Sequence, residues 1–142
     1  MTVAFGRATP ILRVSDMDKA VRFYTECLGF ERAWGDGGFT ELRRGEAAVM
    51  LAQGDQGGGM AWLYLGVDDV DALRDEIAST AATIRNGPSN YPWGARELQV
   101  EDPDGNVIRF ASEATDEPVG EWLDADSTSW RYGSDGSWTR AG

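Results

Sequence analysis

Histidine is missing altogether from the 142-residue sequence, and cysteine occurs once, as Cys27. Histidine is the commonest protein ligand for zinc, nickel and iron, so the usual sites for these ions lose their main ligand. A single cysteine excludes an intramolecular disulfide and a Cys-rich metal site. Because Cys27 falls in an apolar helical pattern, we expect a small buried hydrophobic group rather than a nucleophile.

Long apolar runs and an excess of positive charge are also absent. No segment approaches the ~18 apolar residues of a membrane span, and residues 1–10 lack an apolar signal region. The formal net charge is −11, which argues against nucleic acid and anionic membranes as partners because both need a clustered positive surface. We therefore expect a soluble cytoplasmic protein without a cofactor. The acidic surface would attract a cationic ligand, or it serves solubility alone.

The composition that remains is typical of a globular protein. Hydrophobic residues make up 42% and charged residues 26% of the chain, so general disorder is not expected. The length suffices for one domain with its own core but not for two independent domains.

An internal repeat organises this domain. Residues 9–18 resemble residues 62–71, and in each segment an alternating strand runs into an acidic helix start. Leu12 and Val14 have the period-two spacing that places both side chains on one face of a sheet, and the second copy repeats it.

Each copy of the repeat predicts a helix followed by strands. Asp16 and Asp69 are typical N-cap residues, and further acids favour the positive end of each helix dipole. The first predicted helix covers residues 17–28 and ends at Gly29, and the second covers residues 70–79. The predicted strands that follow cover residues 39–43, 47–53, 97–101 and 106–111.

The predicted organisation is α+β, with a βαβββ module at about residues 7–53 and another at about 60–113, in one domain over residues 1–113. The glycine-rich residues 53–59 join the modules. Residues 102–105, Asp-Pro-Asp-Gly, predict a tight turn, so we do not favour a catalytic role for its aspartates. A module that cannot close its own sheet is expected to pair with a second copy, within the chain or between chains.

Several motifs resemble those of a known superfamily. Residues 14–24 and 28–30 are similar to the opening of the glyoxalase/bleomycin-resistance/extradiol-dioxygenase (vicinal oxygen chelate) superfamily, and residues 102–106 resemble its last hairpin. The nearest branch is that of the bleomycin-resistance, antibiotic-binding proteins. Residues 61–65 resemble a strand of that branch, and Pro-Trp-Gly at residues 92–94 is the most branch-specific motif.

The resemblance implies a curved mixed sheet that encloses a concave cup, and a homodimer with two ligand clefts, each built by both chains. In the superfamily's enzymes the cup holds a divalent metal. The corresponding positions here hold Thr9, Met50, Trp62 and Arg109. None is a credible ligand for a hard or borderline cation, and Arg109 would repel one. Metal-dependent isomerisation, fosfomycin opening and ring-cleaving oxygenation are therefore disfavoured.

Strand alternation assigns a set of side chains to the cup, and neighbouring loops could add two tryptophans at its rim. The predicted ligand-binding residues are Thr9, Arg13, Trp34, Phe39, Glu41, Met50, Trp62, Tyr64, Trp93, Glu97 and Arg109. Aromatic rings suit a planar ligand and attract cations. Glu41 and Glu97 would pair with an amine or guanidinium of the ligand, or instead with an arginine of the chain. Trp62 should point into the cavity because it replaces a metal ligand.

Residues 114–142 lie outside the resemblance and form a C-terminal extension. It contains three of the six tryptophans, Trp122, Trp130 and Trp138. Residues 129–140 predict a hairpin around a Ser-Asp-Gly turn. A lone hairpin is marginally stable in water, so it should pack on the domain or on a partner subunit. It could cover a sheet edge, which we favour, exchange with a partner subunit, or lie over the cup.

The leading functional hypothesis is a metal-free binding protein that sequesters an aromatic, cationic small molecule such as a bleomycin-type antibiotic and so confers resistance. One alternative is a metal-independent lyase or isomerase with Glu41, Glu97 or Tyr64 as acid–base groups. Another is an accessory module that recognises a protein through the tryptophan-rich extension. The fold alone cannot decide among them.

Overall fold

The computed structural model of the chain describes residues 2–142. A π-helical turn over Phe23–Cys27 continues the first helix. The elements in chain order are β1 (Ile11–Arg13), α1 (Met17–Arg22), β2 (Glu31–Gly35), β3 (Phe39–Arg44), β4 (Ala47–Ala52), β5 (Trp62–Gly66), α2 (Val70–Ala78), β6 (Thr83–Asn90), β7 (Ala95–Glu101), β8 (Val107–Glu113), β9 (Trp122–Leu123), β10 (Ser129–Tyr132) and β11 (Trp138–Arg140).

Two four-stranded mixed sheets carry the repeat. The first sheet has the order β1-β4-β3-β2 and the second has the equivalent order β5-β8-β7-β6. In each, the first and last strands of the module pair in parallel and the remaining pairs are antiparallel. The α+β fold of two βαβββ modules is thereby confirmed. Within the two modules, the sequence pattern did not locate β2 and β6; in the extension it did not locate β9.

The helices begin where the sequence predicts. Asp16 caps α1 by accepting a hydrogen bond from Lys19 N at 3.1 Å, and Asp69 caps α2 through Ala72 N at 3.0 Å. These bonds satisfy backbone donors that an α-helix leaves free at its start.

The end of the first helix differs from the prediction. We expected a regular helix over residues 17–28, but its second half is the π-helical turn. There the Thr25 hydroxyl donates to Val21 O at 2.8 Å, a side-chain bond that competes for a helix carbonyl and distorts the helix. Gly29 then adopts a φ of 69°, as expected for a helix terminator. Cys27 is a half-buried free thiol that packs against the core.

One hydrophobic core joins the two modules. Buried side chains from both helices and from one face of each sheet belong to it, among them Leu12, Tyr24, Leu51, Ile77 and Phe110. The opposite faces of the sheets point away from this core. We call the outward face of the β1-β4-β3-β2 sheet the first face and that of the β5-β8-β7-β6 sheet the second face. Within residues 2–142 no helix is long and apolar enough to cross a membrane.

Candidate ligand-binding site

The strand register sorts the predicted cup residues onto the two outward faces. Ile11 pairs with Met50 across β1 and β4, and Tyr64 occupies the equivalent place opposite Arg109 across β5 and β8. Side chains alternate along a strand, so residues at every second position share a face and can be added to the same set. The first face carries Ile11, Arg13, Phe39, Glu41 and Met50. The second face carries Trp62, Tyr64, Glu97, Gln99 and Arg109.

The first face presents an aromatic pair beside a neutralised carboxylate. Trp34 stacks on Phe39 with the ring centroids 5.8 Å apart and the planes 16° from parallel. Glu41 is buried and forms an ion pair with Arg43. Arg13 donates to Asp55 O at 2.9 Å. The charges here are already engaged, whereas Trp34 remains 47% exposed.

The second face is organised around Glu97, whose residue is 1% exposed. Its Oε1 accepts hydrogen bonds from Arg109 Nη2 at 2.6 Å and from Arg109 Nε at 3.0 Å. Its Oε2 accepts from Trp93 Nε1 at 2.7 Å and from the Tyr64 hydroxyl at 3.3 Å. A buried carboxylate needs such a paired and hydrogen-bonded environment. Glu97 therefore positions two aromatic side chains, and its charge is compensated by Arg109 rather than left free for a ligand.

Arg109 is held on both sides by aromatic rings. Its guanidinium carbon lies 5.3 Å from the ring centroid of Tyr64 and 4.7 Å from that of Trp122. These are cation–π contacts, which add to the ion pair with Glu97. The sequence had left open whether Glu97 pairs with a cation of the ligand or with an arginine of the chain, and its contacts with Arg109 are of the second kind.

The C-terminal extension lies across the second face. Gln99 Nε2 donates to Leu123 O at 2.9 Å, and the Tyr91 hydroxyl donates to Glu121 O at 3.1 Å. The approach is close, since a Cβ at Gly120 would lie 2.6 Å from the Cβ of Ser89. The extension also runs along the edge strand β6, where Val119 forms a β-bridge with Asn90 and Gly120 N donates to Asn90 O at 2.9 Å. Of the three placements considered from the sequence, the structure therefore combines the favoured one at a sheet edge with the one over the cup residues.

Trp62 is covered by two side chains that the sequence did not assign to the site. Its ring lies 6.5 Å from that of Trp122, and the Arg85 guanidinium carbon lies 5.1 Å from its centroid. Arg85 also donates to Gln99 Oε1 at 2.6 Å. Trp62 does point to the outward face, but a cation of the chain itself occupies one side of its ring. Arg85 escaped prediction because its strand, β6, was not predicted.

Tyr91 and Trp93 form the rim of the second face. Their rings stack with centroids 5.1 Å apart and planes 12° from parallel. Burial of Tyr91, followed by the negative charge of Glu97, raises the pKa of its hydroxyl to about 12, so it stays a hydrogen-bond donor at neutral pH. Trp93 is 51% exposed, which leaves one side of its indole accessible to a ligand.

Within one chain the predicted site is divided between the two faces. Trp62, Tyr64, Trp93, Glu97 and Arg109 come together on the second face. Arg13, Trp34, Phe39, Glu41 and Met50 lie on or beside the first, whereas Thr9 lines a cavity together with Tyr64. In the part of the chain that the structure describes, no aromatic contact joins the two sets.

The positions that correspond to the superfamily's metal ligands do not suit a divalent cation. Met50 offers only a thioether, and Arg109 places a permanent positive charge where the ion would lie. Over residues 2–142 no three His, Cys, Asp or Glu side chains gather in a group that could hold a metal ion.

Two βαβββ modules, in each of which the first and the last strand pair in parallel, define a class of proteins built from one repeated unit. The sequence matches the model of the glyoxalase/bleomycin resistance protein/dioxygenase superfamily over residues 5–110, and the chain belongs to that superfamily. The matched residues end before the C-terminal extension, and so do the motifs that resemble the superfamily.

Relatives of two kinds share this domain. The crystal structure of the bleomycin-binding protein from Streptomyces verticillus, complexed with copper(II)-bleomycin, is 30% identical, covers 80% of this chain and 100% of its own, and superposes with a TM-score of 0.68. A bleomycin resistance protein of Geobacillus stearothermophilus is 26% identical, covering 73% of this chain and 94% of its own length. A probable lactoylglutathione lyase of Vibrio cholerae is 25% identical, covering 70% and 85%.

Proposed function

We propose that this protein binds and sequesters an aromatic, cationic small molecule of the bleomycin type, and so confers resistance without a metal or turnover. The observation that carries the proposal is the exposure of aromatic rings on both outward faces: Trp34 is 47%, Tyr64 56% and Trp93 51% exposed. Exposed apolar rings on a rigid sheet are typical of ligand-binding surfaces. The similarity to bleomycin-binding and bleomycin resistance proteins supports the same role.

We further propose that the active form is a cytoplasmic homodimer. Apart from Thr9, the predicted ligand residues of one chain are divided between two faces that point away from a shared core, which supports a cleft completed by a second chain. A second chain with two-fold symmetry can bring its first face to the second face of its partner, twice. Each cleft would then contain Trp34 and Phe39 from one chain and Tyr64 and Trp93 from the other.

The ligand hypothesis predicts a loss of affinity when a ring on the second face is removed. In a titration with bleomycin, Tyr64→Ala should raise the Kd by between about 2- and 10-fold, the range that one stacking contact supplies. Tyr64→Phe keeps the ring and should stay within about 2-fold of the wild type. Tryptophan fluorescence, checked by calorimetry, measures both. Equal affinity for Tyr64→Ala and Tyr64→Phe, or conversion of the drug to a product, would contradict the proposal.

The dimer hypothesis predicts complementation between chains with different defects. Phe39→Ala damages the first face only, and Tyr64→Ala damages the second face only. If each cleft uses both chains, mixed dimers contain one intact cleft, and about one quarter of the clefts in an equimolar, fully exchanged mixture recover wild-type affinity. The two variants measured separately provide the control. A mixture that never exceeds the average of the separate variants would show that the cleft lies within one chain.

The acid–base groups of the enzymatic alternative are already engaged within the chain. Glu41 and Glu97, the carboxylates that it would use as acid–base groups, both form ion pairs with arginine. The Tyr64 hydroxyl is directed at Glu97, and desolvation, followed by the charge of Glu97, raises its pKa above the ordinary value. A tyrosine that ionises less readily is a poorer general base near neutral pH.

A further inference from the structure

The C-terminal extension builds an aromatic cavity beside the rim of the second face. Its volume is about 470 Å³. It is lined by Trp93, Trp122, Asp124, Trp130 and Trp138. Three of the four tryptophans belong to the extension, which lies beyond the residues matched by the superfamily model. We call this cavity the tryptophan cage.

The strand register of the extension explains why the tryptophans converge. Trp122 of β9 lies directly opposite Trp130 of β10, and Tyr132 of β10 lies opposite Trp138 of β11. Alternation places Trp130 and Tyr132 on the same face, so all four rings share one side of the small sheet. Trp93 completes the cage from the domain, with its ring centroid 6.3 Å from both Trp122 and Trp138.

Among the residues that the structure describes, Asp124 is the one charged side chain of the cage lining. Its Oδ1 accepts from the backbone N–H groups of Asp126 and Thr128, both at 2.9 Å, and its Oδ2 accepts from Trp130 Nε1 at 2.8 Å. These bonds fix the carboxylate against the indole, and the bond from Trp130, with those from the backbone, lowers its pKa. Among the described residues Asp124 forms no salt bridge, so its negative charge is not neutralised by an arginine as those of Glu41 and Glu97 are.

We propose that the tryptophan cage is a binding site for an organic cation of the quaternary or methylated ammonium class. Indole faces attract a cation through the ring quadrupole, and a methylated ammonium loses little hydration when rings surround it. One carboxylate beside the rings provides charge complementarity without demanding hydrogen-bond donors from the ligand. The net charge of −11 favours the approach of the cation. This inference does not rest on the proposed function of the outward faces.

The chemistry of the cage favours a cation over a neutral apolar occupant. A neutral group that filled the cavity would desolvate Asp124 without compensating its charge, which is unfavourable. Arg140 lies opposite Trp130 in the register, on the same side of the small sheet. It is exposed and is not part of the cage lining, so it weakens the attraction for a cation only from a distance.

The test compares choline with 3,3-dimethylbutan-1-ol, a neutral molecule of the same shape, on the full chain. Indole N–H resonances and tryptophan fluorescence report occupancy. We expect saturable binding of choline that is at least about 10-fold tighter than binding of the alcohol. The rings and the carboxylate of the cage attract the positive charge of choline, which the alcohol lacks. Equal binding of the two probes, or no saturable binding of choline, would overturn the proposal.

Variants separate the cage from general electrostatics. Trp138→Leu removes one wall of the cage without changing the Asp124 turn, and it should lower the affinity for choline by about 3- to 10-fold. Asp124→Asn should lower the affinity for choline by about 5-fold. Asp126→Asn removes the same charge from an exposed neighbour and should change this affinity by less than about 2-fold. Arg140→Gln should raise the affinity for choline by up to about 3-fold. Equal losses for the two aspartate variants would reduce the effect to net charge and contradict the cage.

A second copy of the chain is the competing occupant. If the tryptophans instead form a subunit contact, the affinity for choline will fall as the protein concentration rises through the range of dimer formation. Trp138→Leu would then weaken the dimer in sedimentation experiments. An affinity independent of protein concentration, with unchanged dimer mass for Trp138→Leu, is the result expected of a ligand cage. Either departure from this pair of results would count against it.

Discussion

Replacing Asp102 with alanine should lower the free energy of unfolding by about 3–5 kcal/mol, because several donors in and beside the core lose their acceptor at a cost of about 1–3 kcal/mol each. Asp102 is 4% exposed. Its Oδ1 accepts from the backbone N–H groups of Asp104 at 2.8 Å and Asn106 at 2.9 Å. Its Oδ2 accepts from Asn106 Nδ2 and from the Tyr24 hydroxyl, both at 2.9 Å. Alanine leaves all of these donors without their acceptor.

The bond to Tyr24 gives this turn a role beyond its own hairpin. Tyr24 belongs to the first module and Asp102 to the second, so the carboxylate joins the modules inside the shared core. Burial and the charge of Asp102 raise the pKa of Tyr24 well above its ordinary value, which keeps the hydroxyl protonated and able to donate. Ser15 strengthens the same contact by donating through its backbone N–H and hydroxyl to Asp104, at 2.9 and 2.6 Å.

Denaturant unfolding of Asp102→Ala and Tyr24→Phe measures the two contributions. Tyr24→Phe removes one hydrogen bond and retains the ring, so it should cost about 1–2 kcal/mol. A cost for Asp102→Ala no larger than that for Tyr24→Phe would mean that the turn bonds do not stabilise the fold. The sequence identified this segment as a turn and did not favour a catalytic role for its aspartates, and the contacts of Asp102 are those of a structural group.

The features that sequence predicted well are local ones. The caps at Asp16 and Asp69 and the turn at residues 102–105 depend on residues within four positions of one another, so their chemistry is visible in the chain itself. Alternation in β5 and β8 placed Tyr64 and Arg109 on one face because burial of the opposite face fixes the register.

The strands β2 and β6 were not located because their sequences lack a strand pattern. All five residues of β2 are exposed, so no apolar alternation marks them. β6 contains Asn86-Gly87-Pro88, a combination typical of turns, and its pairing with β7 shifts register on both sides of Asn86. Such segments become strands because a neighbouring edge offers backbone partners, which is a tertiary effect.

The contacts of the site depend on the same tertiary information. The sequence placed Glu97 and Arg109 on one face, but their pairing required the register of β7 against β8, in which Gln99 lies opposite Arg109. The position of Trp122 over the second face required the path of the whole extension. The alternation of side chains along the strands was thus enough to propose the site residues. It was not enough to predict that Trp122 and Arg85 cover Trp62.

Replacing Trp122 with alanine should release the extension from the domain. Its ring contacts those of Trp62, Tyr91 and Trp93, at centroid distances of 6.5, 5.8 and 6.3 Å, and it also covers Arg109. Loss of a half-buried tryptophan with a cation–π contact should cost about 2–3 kcal/mol. That free energy corresponds to an increase of about 30- to 150-fold in the population with the extension detached.

Trypsin cleavage after Arg131 detects that population, because cleavage follows the equilibrium amount of the open form when opening is fast. Arg131 lies within β10 and is protected while the extension is folded. Thr139→Ala is the matched control, since Thr139 is an exposed residue of the same small sheet, opposite Arg131 and on the side away from the tryptophans, and should leave both the sheet and its attachment intact. Similar cleavage rates for the two variants would show that Trp122 does not anchor the extension.

The same variant connects the anchoring of the extension to the two proposed sites. Trp122 is a wall of the tryptophan cage and at the same time covers the second face. Trp122→Ala should therefore abolish the preference for choline and, in the same sample, expose Trp62 to quenching by acrylamide. Bleomycin depends on Tyr64 and Trp93, which are already exposed, so its affinity should change by less than about 3-fold. A parallel loss of both ligands would instead mean that the cage and the second face are a single site.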